Sequence, residues 1–70
     1  MDNDKYYIIR STRATLKIHD LNGRVLKVMR LQLTAGYNEV QVTSDQLPKG
    51  ILYYTLETSQ FKQTRKMAVL

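Results

Sequence analysis

The chain of 70 residues contains no cysteine or tryptophan, one histidine, one proline and three glycines. The absence of cysteine excludes disulfides and thiolate metal sites, and a single histidine excludes a histidine-rich metal site. A domain of this size buries only about 60% of the surface that its unfolded chain exposes, so its stability is marginal. The apolar core, a partner or a larger parent chain must therefore supply the stability that disulfides or metals give other small domains.

Long hydrophobic runs are also missing, since no apolar stretch approaches the roughly eighteen residues of a membrane span. The N-terminal Met-Asp-Asn-Asp is acidic and lacks the apolar segment of a secretory signal. The hydrophobic content of 43% and the five tyrosines argue against disorder. We expect residues 1–4 to be a disordered leader, and residues 5–70 to form a single domain.

The net charge is +5, and the basic residues are unevenly distributed. Between Arg10 and Arg30, six basic residues accompany a single acid, Asp20. A second cluster contains Lys62, Arg65 and Lys66. Such a balance favours anionic partners, including nucleic acid and lipopolysaccharide, although a solvated strand face is the simpler interpretation.

Alternation of apolar and polar residues, interrupted by turn residues every eight to twelve positions or so, predicts an all-β sandwich or barrel. Ala14, Leu16 and Ile18 illustrate the pattern, because they share one face of an extended segment. We expect six mostly antiparallel strands, at residues 5–10, 14–19, 24–33, 37–43, 51–58 and 61–70.

The strand at residues 24–33 breaks the alternation, because Leu26 and Val28 share one face whereas Met29 and Leu31 share the other. A bulge near Val28 and Met29, or burial on both faces, would explain this change. The longest connection is residues 44–50. Pro48 belongs in this loop because proline cannot donate to a central strand ladder, and Leu47 is predicted to fill the core from it.

The segment KIHDLNGRVLK, residues 17–27, contains the chain's one histidine beside an aspartate. Adjacent residues on a strand point to opposite faces, so His19 and Asp20 are poorly placed for a catalytic pair, whose members must reach each other. Asn22-Gly23 between alternating runs instead predicts a hairpin, because both residues tolerate positive φ. Asp20 can close the bend with an Asx turn.

Other chemistry has little support in the sequence. The three glycines are isolated and open no helix, unlike those of a phosphate-binding loop, and the carboxylates lie on separate elements. We therefore predict no enzymatic activity, no cofactor and no metal site. One alternative function is binding of single-stranded nucleic acid by stacking on exposed rings. However, the pairs Tyr6-Tyr7 and Tyr53-Tyr54 should each bury one ring, and Tyr37 should pack at a corner. Another alternative is a structural module, such as an adhesin or carbohydrate-binding sandwich.

Four blocks in order resemble the type A C-terminal sorting domain of the type IX secretion system of Bacteroidetes. They are ATLKIHDLNGR (residues 14–24), LTAGYNEV (33–40), LPKGI (47–51) and KMAVL (66–70). The resemblance implies an immunoglobulin-like antiparallel β-sandwich of six to seven strands at the end of a longer secreted precursor. It also implies a non-catalytic secretion address that is recognised at the outer membrane.

The resemblance further implies passage through the periplasm, removal by a sortase-like peptidase, and release of the cargo or its attachment to the cell surface. No nucleic acid partner is expected. The positions that match family segments linked to export are Gly50, Lys66, Met67, Ala68, Val69 and Leu70. The positions assigned to structural turns are Asp20, Asn22, Gly23, Arg24, Gly36, Asn38 and Pro48.

The chain departs from the family pattern in three places. His19 and Leu52 stand where the family usually has tyrosine, so a phenol is missing at each position. The family's opening segment is not visible before Lys5, which predicts a cleavage site upstream of this chain. A sandwich without its first strand would expose an edge, and such an edge favours homodimer formation by edge-strand pairing.

Overall fold

The computed structural model describes residues 2–43 and 45–70, and in this part of the chain it contains six strands and no helix. The all-β prediction of six strands is confirmed. The strands are β1 (Asp2–Ile8), β2 (Thr12–His19), β3 (Val25–Leu33), β4 (Gly36–Val42), β5 (Gly50–Thr58) and β6 (Lys62–Val69).

The strands form two antiparallel sheets. β1 and β4 make a two-stranded sheet, and the other four strands are ordered β3-β2-β5-β6, so β6 lies at an edge. β1 begins earlier than the predicted residue 5, because the main chain of Asp2 already pairs with that of Val42. Met1 of the predicted leader and Ser44 of the predicted loop lie outside the described residues.

Alternation produces the core. On β2, Ala14, Leu16 and Ile18 are buried, whereas Arg13 and Lys17 between them are exposed. Apolar side chains from both sheets join in one cluster, so the two sheets face each other as the layers of a sandwich. Its buried members are Tyr6, Ile8, Ala14, Leu16, Ile18, Leu33, Val40, Val42, Leu52, Tyr54, Leu56, Met67 and Val69.

The irregularity of β3 lies nearer its start than the sequence suggests. Ile18 pairs with Lys27 but His19 pairs with Val25, so Leu26 is the extra residue of a bulge. The bulge directs Leu26 towards the core, where it is partly buried. The predicted position at Val28 and Met29 is wrong, and burial on both faces is also wrong because Val28 is 47% exposed.

The loop and the tyrosines agree with the sequence in most respects. Leu47 packs against the core from the β4–β5 connection, and Pro48 lies exposed in that connection. Tyr6 and Tyr54 are buried. The prediction for Tyr37 is wrong, because the residue is 81% exposed. Its ring lies edge-on against Tyr7, with 4.9 Å between the ring centroids.

Membrane-spanning helices do not occur in the described part of the chain.

Candidate recognition site

The last hairpin places the C-terminal segment against β5. The hydroxyl oxygen of Thr58 accepts hydrogen bonds from the main-chain N–H groups of Gln60, at 2.9 Å, and Phe61, at 3.1 Å. The Thr58 N–H donates to the Phe61 carbonyl at 2.8 Å. These bonds close a tight turn, and the Phe61 ring then contacts Tyr6 of the other sheet, with 5.7 Å between the centroids.

The register of this hairpin brings together the residues that the sequence assigned to export. Gly50 lies opposite Val69, Ile51 opposite Ala68 and Leu52 opposite Met67. Gly50 is distant from the tail in sequence but is adjacent to it in the sheet. Because β6 pairs only with β5 among the described strands, its other edge leaves main-chain N–H and C=O groups available for a partner strand.

Burial divides the six residues into two groups. Met67 is 3% exposed and Val69 is 6% exposed, and both belong to the core. Lys66, Ala68 and Gly50 are exposed, and Leu70 is fully exposed beyond the end of β6. A partner that binds the folded domain can therefore contact Lys66, Ala68 and Leu70 directly, whereas the two buried residues hold the strand in place.

The backbone of Gly50 has a conformation that other residues rarely adopt, with φ of +120°. A Cβ atom at this position would meet nothing within 4 Å, so the requirement for glycine is conformational and not steric. Gly50 therefore determines the direction in which the chain enters β5, opposite the end of β6.

Asp20 organises the β2–β3 turn. Its Oδ1 atom accepts hydrogen bonds from the main-chain N–H groups of Arg24, at 2.9 Å, and Asn22, at 3.0 Å. Its Oδ2 atom lies 3.2 Å from the exposed Arg24 Nε atom. The hydrogen bond from the Arg24 main chain is the main cause that lowers the pKa of Asp20, with further contributions from Asn22 and the Arg24 charge. Only Gly23 of the Asn-Gly pair has positive φ, at +83°. A two-residue hairpin turn of this kind needs positive φ at both residues, and the connection between β2 and β3 is instead five residues long, residues 20–24.

Asn38 organises the β3–β4 turn in a similar way. Its Oδ1 atom accepts a hydrogen bond from the Thr34 N–H at 3.0 Å, and its Nδ2 atom donates to the Thr34 carbonyl at 2.7 Å. The same Nδ2 atom also donates a hydrogen bond to the Gly36 carbonyl at 3.2 Å. Gly36, with φ of +104°, allows the chain to turn back above this amide.

The contacts of His19 are with residues of β5, whereas those of Asp20 are within the β2–β3 turn. Its Nε2 atom lies 3.2 Å from the Thr55 hydroxyl, and its ring stacks on Tyr53 with 5.9 Å between the centroids. Thr55 in turn lies 2.8 Å from the Thr64 hydroxyl. His19 therefore starts a polar row across β2, β5 and β6, and Asp20 belongs to a turn. The described residues contain no group of three potential metal ligands among His, Cys, Asp and Glu.

Sequence reasoning missed two features of this surface. It did not anticipate the polar row, because hydroxyl contacts between strands depend on which strands are neighbours. It also did not place Gly50 opposite Val69, although an antiparallel pairing of the last two predicted strands would have brought residues 50 and 69 close together. Both features depend on strand order and register.

Comparison with known families gives one result. The family model described as the secretion system C-terminal sorting domain matches residues 2–70, nearly the whole chain. Comparison with curated proteins and with solved structures gave no match.

Proposed function

Because the chain belongs to the family of secretion system C-terminal sorting domains of type IX secretion, we propose that the export machinery recognises it as a folded sandwich, along β6. Family membership makes the domain a sorting signal whose destination is the cell surface or the extracellular space. The proposal concerns the part of the domain that the machinery contacts and the fate of the cargo after export.

The observation that carries the proposal is the edge position of β6 opposite Gly50. An exposed edge can accept a partner strand through main-chain hydrogen bonds, and alternate side chains then supply specificity. Lys66 and Ala68 are the outward side chains next to that edge, and Leu70 extends past it. A polypeptide of the machinery would therefore pair with β6 and contact these three residues, while Met67 and Val69 stay in the core.

The finer steps are part of the same proposal. The domain crosses the periplasm attached to an upstream cargo, and a sortase-like peptidase removes it after passage through the outer membrane. The cargo is then released or attached to the cell surface. Mass spectrometry of the secreted cargo tests this step, when the cargo is produced with its own segment upstream of residue 1. We expect its C-terminus to lie upstream of residue 1, and secreted cargo still joined to residues 1–70 would contradict the cleavage step.

A reporter fused to residues 1–70 and produced in a strain with the secretion system tests the recognition surface. We expect the fusion outside the cell, and we expect Lys66→Ala or removal of Leu70 to leave it inside. Lys62→Ala is the matched control, because Lys62 lies outward on the same strand but outside the tail. Secretion of the Lys66 and Leu70 variants at the level of the control would contradict recognition at this surface.

Pairing between two copies is the remaining proposal. In the described residues, β1 and β4 pair only with each other, so each strand has one unpaired edge. A second copy could pair along one of these edges and leave β6 available. Light scattering coupled to size exclusion over a concentration series tests it: a mass that stays at one chain would contradict the dimer.

A further inference from the structure

The outward face of the four-stranded sheet carries mainly positive charge. Strand alternation directs five basic side chains of β2, β3 and β6 away from the core, and all five are exposed. They are Arg13, Lys17, Arg30, Lys62 and Lys66. We call this surface the basic face. Glu57 of β5 is the acidic residue that lies outward among them.

These charges lie close together because the strands are adjacent. Arg30 pairs with Thr15 across β2 and β3, and Lys62 pairs with Glu57 across β5 and β6. Neighbouring strands are about 4.8 Å apart, so the five cations lie within an area about four strands wide. In the described part of the chain no ion pair joins Glu57 to them, and the ion pair of Arg24 with Asp20 is at the turn. The basic face therefore has an excess of four positive charges.

The centre of the basic face is polar. Thr15, Thr55 and Thr64 lie between the cations, and Tyr53 is half-buried and stacked on His19. The larger apolar residues exposed on this face are Val25 and Val28 of β3 and Ile51 of β5, and β2 lies between those two strands. A shallow recess of about 260 Å³ is lined by Lys17, His19, Thr55, Glu57 and Lys62, together with Gly23 and Val25 at the turn.

This composition favours a lipid surface over a macromolecular groove. The centres of protein interfaces are enriched in aromatic residues and depleted in lysine, whereas three of the five cations here are lysines. Binding of single-stranded nucleic acid needs exposed rings on which bases stack, and the outward ring of this face already stacks on His19. An anionic bilayer attracts clustered lysine and arginine side chains through their charge alone.

We propose that the basic face is a membrane-surface contact that binds the anionic phospholipid headgroups of a bilayer. The cations approach the headgroups together and no side chain is inserted into the hydrocarbon. Binding is weak and reversible, because each basic residue near an anionic surface strengthens it by only about fivefold. The basic face shares Lys66 with the recognition surface on β6, and its other four cations add a second surface to the domain.

Vesicle sedimentation with the complete chain tests the proposal. The probes are vesicles of equal parts phosphatidylcholine and phosphatidylglycerol, with pure phosphatidylcholine vesicles as the neutral comparison. We expect binding to the anionic vesicles at low salt, a strong decrease near about 0.15 M salt where the Debye length is about 8 Å, and no binding to the neutral vesicles.

A matched pair of double variants separates the basic face from net charge. Lys17→Gln with Lys62→Gln removes two cations from the face, and Lys5→Gln with Lys49→Gln removes two exposed cations elsewhere. We expect the first pair to weaken vesicle binding about 25-fold, at about fivefold for each lysine. We expect less than about a threefold effect from the second pair, whose charges are screened at a distance.

Three outcomes would overturn the proposal: no binding of the unchanged chain to anionic vesicles at low salt, equal binding to both kinds of vesicle, or equal losses in the two double variants. Because Lys66 and Leu70 are unchanged in all of these proteins, secretion of the same variants reports separately on the β6 surface. A thermal melt of each variant is the control that tests whether its fold is intact. Loss of vesicle binding without loss of secretion would support separate roles for the basic face and the recognition surface on β6.

Discussion

The Oδ1 atom of Asp20 lies 2.9 Å from the main-chain nitrogen of Arg24, four residues further along the chain. The same atom accepts the Asn22 N–H, so one carboxylate oxygen spans the whole β2–β3 turn. Because both donors favour the charged form, the turn is stabilised by the ionised carboxylate and its pKa is lowered. The turn thus couples stability to pH.

The first prediction follows from the sign of that shift. The pKa of Asp20 is lower in the folded chain than its ordinary value near 3.8. Its contribution to stability is therefore fully present well above pH 3.8 and is lost as the pH falls through the folded pKa. We expect Asp20→Asn to lower the melting temperature near neutral pH, and the difference from the unchanged chain to shrink below about pH 4.

Circular dichroism melts over a pH series provide this comparison. Asp45→Asn is the control, because it removes the same charge from the exposed β4–β5 connection. A difference between the Asp20→Asn and unchanged chains that stays constant down to about pH 2.5 would contradict the ionised-carboxylate explanation of the turn.

The second prediction compares two glycines that both have positive φ. Gly23, at +83°, lies near the left-handed region that asparagine tolerates, whereas Gly50, at +120°, lies beyond it. We expect Gly23→Asn to cost less than about 1 kcal/mol of unfolding free energy, and Gly50→Asn about 1–3 kcal/mol. Urea denaturation of the two variants measures both values, and equal costs would show that φ does not explain the glycine at position 50.

Local sequence was sufficient for the regular parts of the fold. On β2 the alternation of Ala14, Leu16 and Ile18 gave the buried face directly, because a period of two has one interpretation when one face is buried. The glycines at 23 and 36 likewise marked turns, because few other residues adopt positive φ. These features depend only on neighbours in the chain.

The features that the sequence did not determine depend on contacts between strands. The change of parity in β3 was visible, but pairing with β2 decides that Leu26 is the extra residue. Tyr37 was expected to pack at a corner, but β4 pairs with β1 and places its ring outward against Tyr7. The recognition surface was not predictable from the sequence for the same reason, since Val69 lies opposite Gly50 only in the folded register.

The third prediction concerns the two exposed tyrosines. Tyr7 and Tyr37 are directly opposite each other on β1 and β4, with their rings 4.9 Å apart and inclined by 65°. Edge-on aromatic pairs contribute about 0.5–1.5 kcal/mol beyond their buried area, and exposure places this pair at the lower end. A double-mutant cycle with Tyr7→Ala and Tyr37→Ala should therefore give a coupling free energy of about 0.5 kcal/mol. If the effects of the two single substitutions add up to that of the double substitution, the contact between the rings contributes nothing to stability.

The fourth prediction separates the amide donors of Asn38 from its acceptor. Asn38→Asp keeps an oxygen for the Thr34 N–H but removes the donors to the Thr34 and Gly36 carbonyls. Because a typical hydrogen bond contributes about 1 kcal/mol net, we expect losses of about 1–2 kcal/mol by urea denaturation. Gln46→Glu, in the exposed β4–β5 connection, is the matched amide-to-acid control. If Asn38→Asp lowers the unfolding free energy no more than the control does, the hydrogen bonds donated by the Asn38 amide contribute little to stability.

The fifth prediction tests the division of the C-terminal segment into buried and exposed residues. Met67 is buried at 3% exposure and lies opposite Leu52 in the core, so its role in export should be only to keep β6 in place. Met67→Leu nearly conserves volume and should cost less than about 1.5 kcal/mol, whereas Met67→Ala should cost about 2–5 kcal/mol, enough to unfold a domain of this size.

Secretion of the reporter fusion should follow stability for the Met67 variants and be independent of it for Lys66→Ala. Met67→Leu should be folded and exported, Met67→Ala should be neither, and Lys66→Ala should be folded but retained. Each protein needs two measurements, a thermal melt of the isolated chain and the secreted fraction of the fusion. A stable Met67→Leu domain that is not exported would mean that a partner contacts the methionine itself. The strand would then have to leave the sandwich during recognition, because position 67 is inaccessible while β6 remains paired with β5.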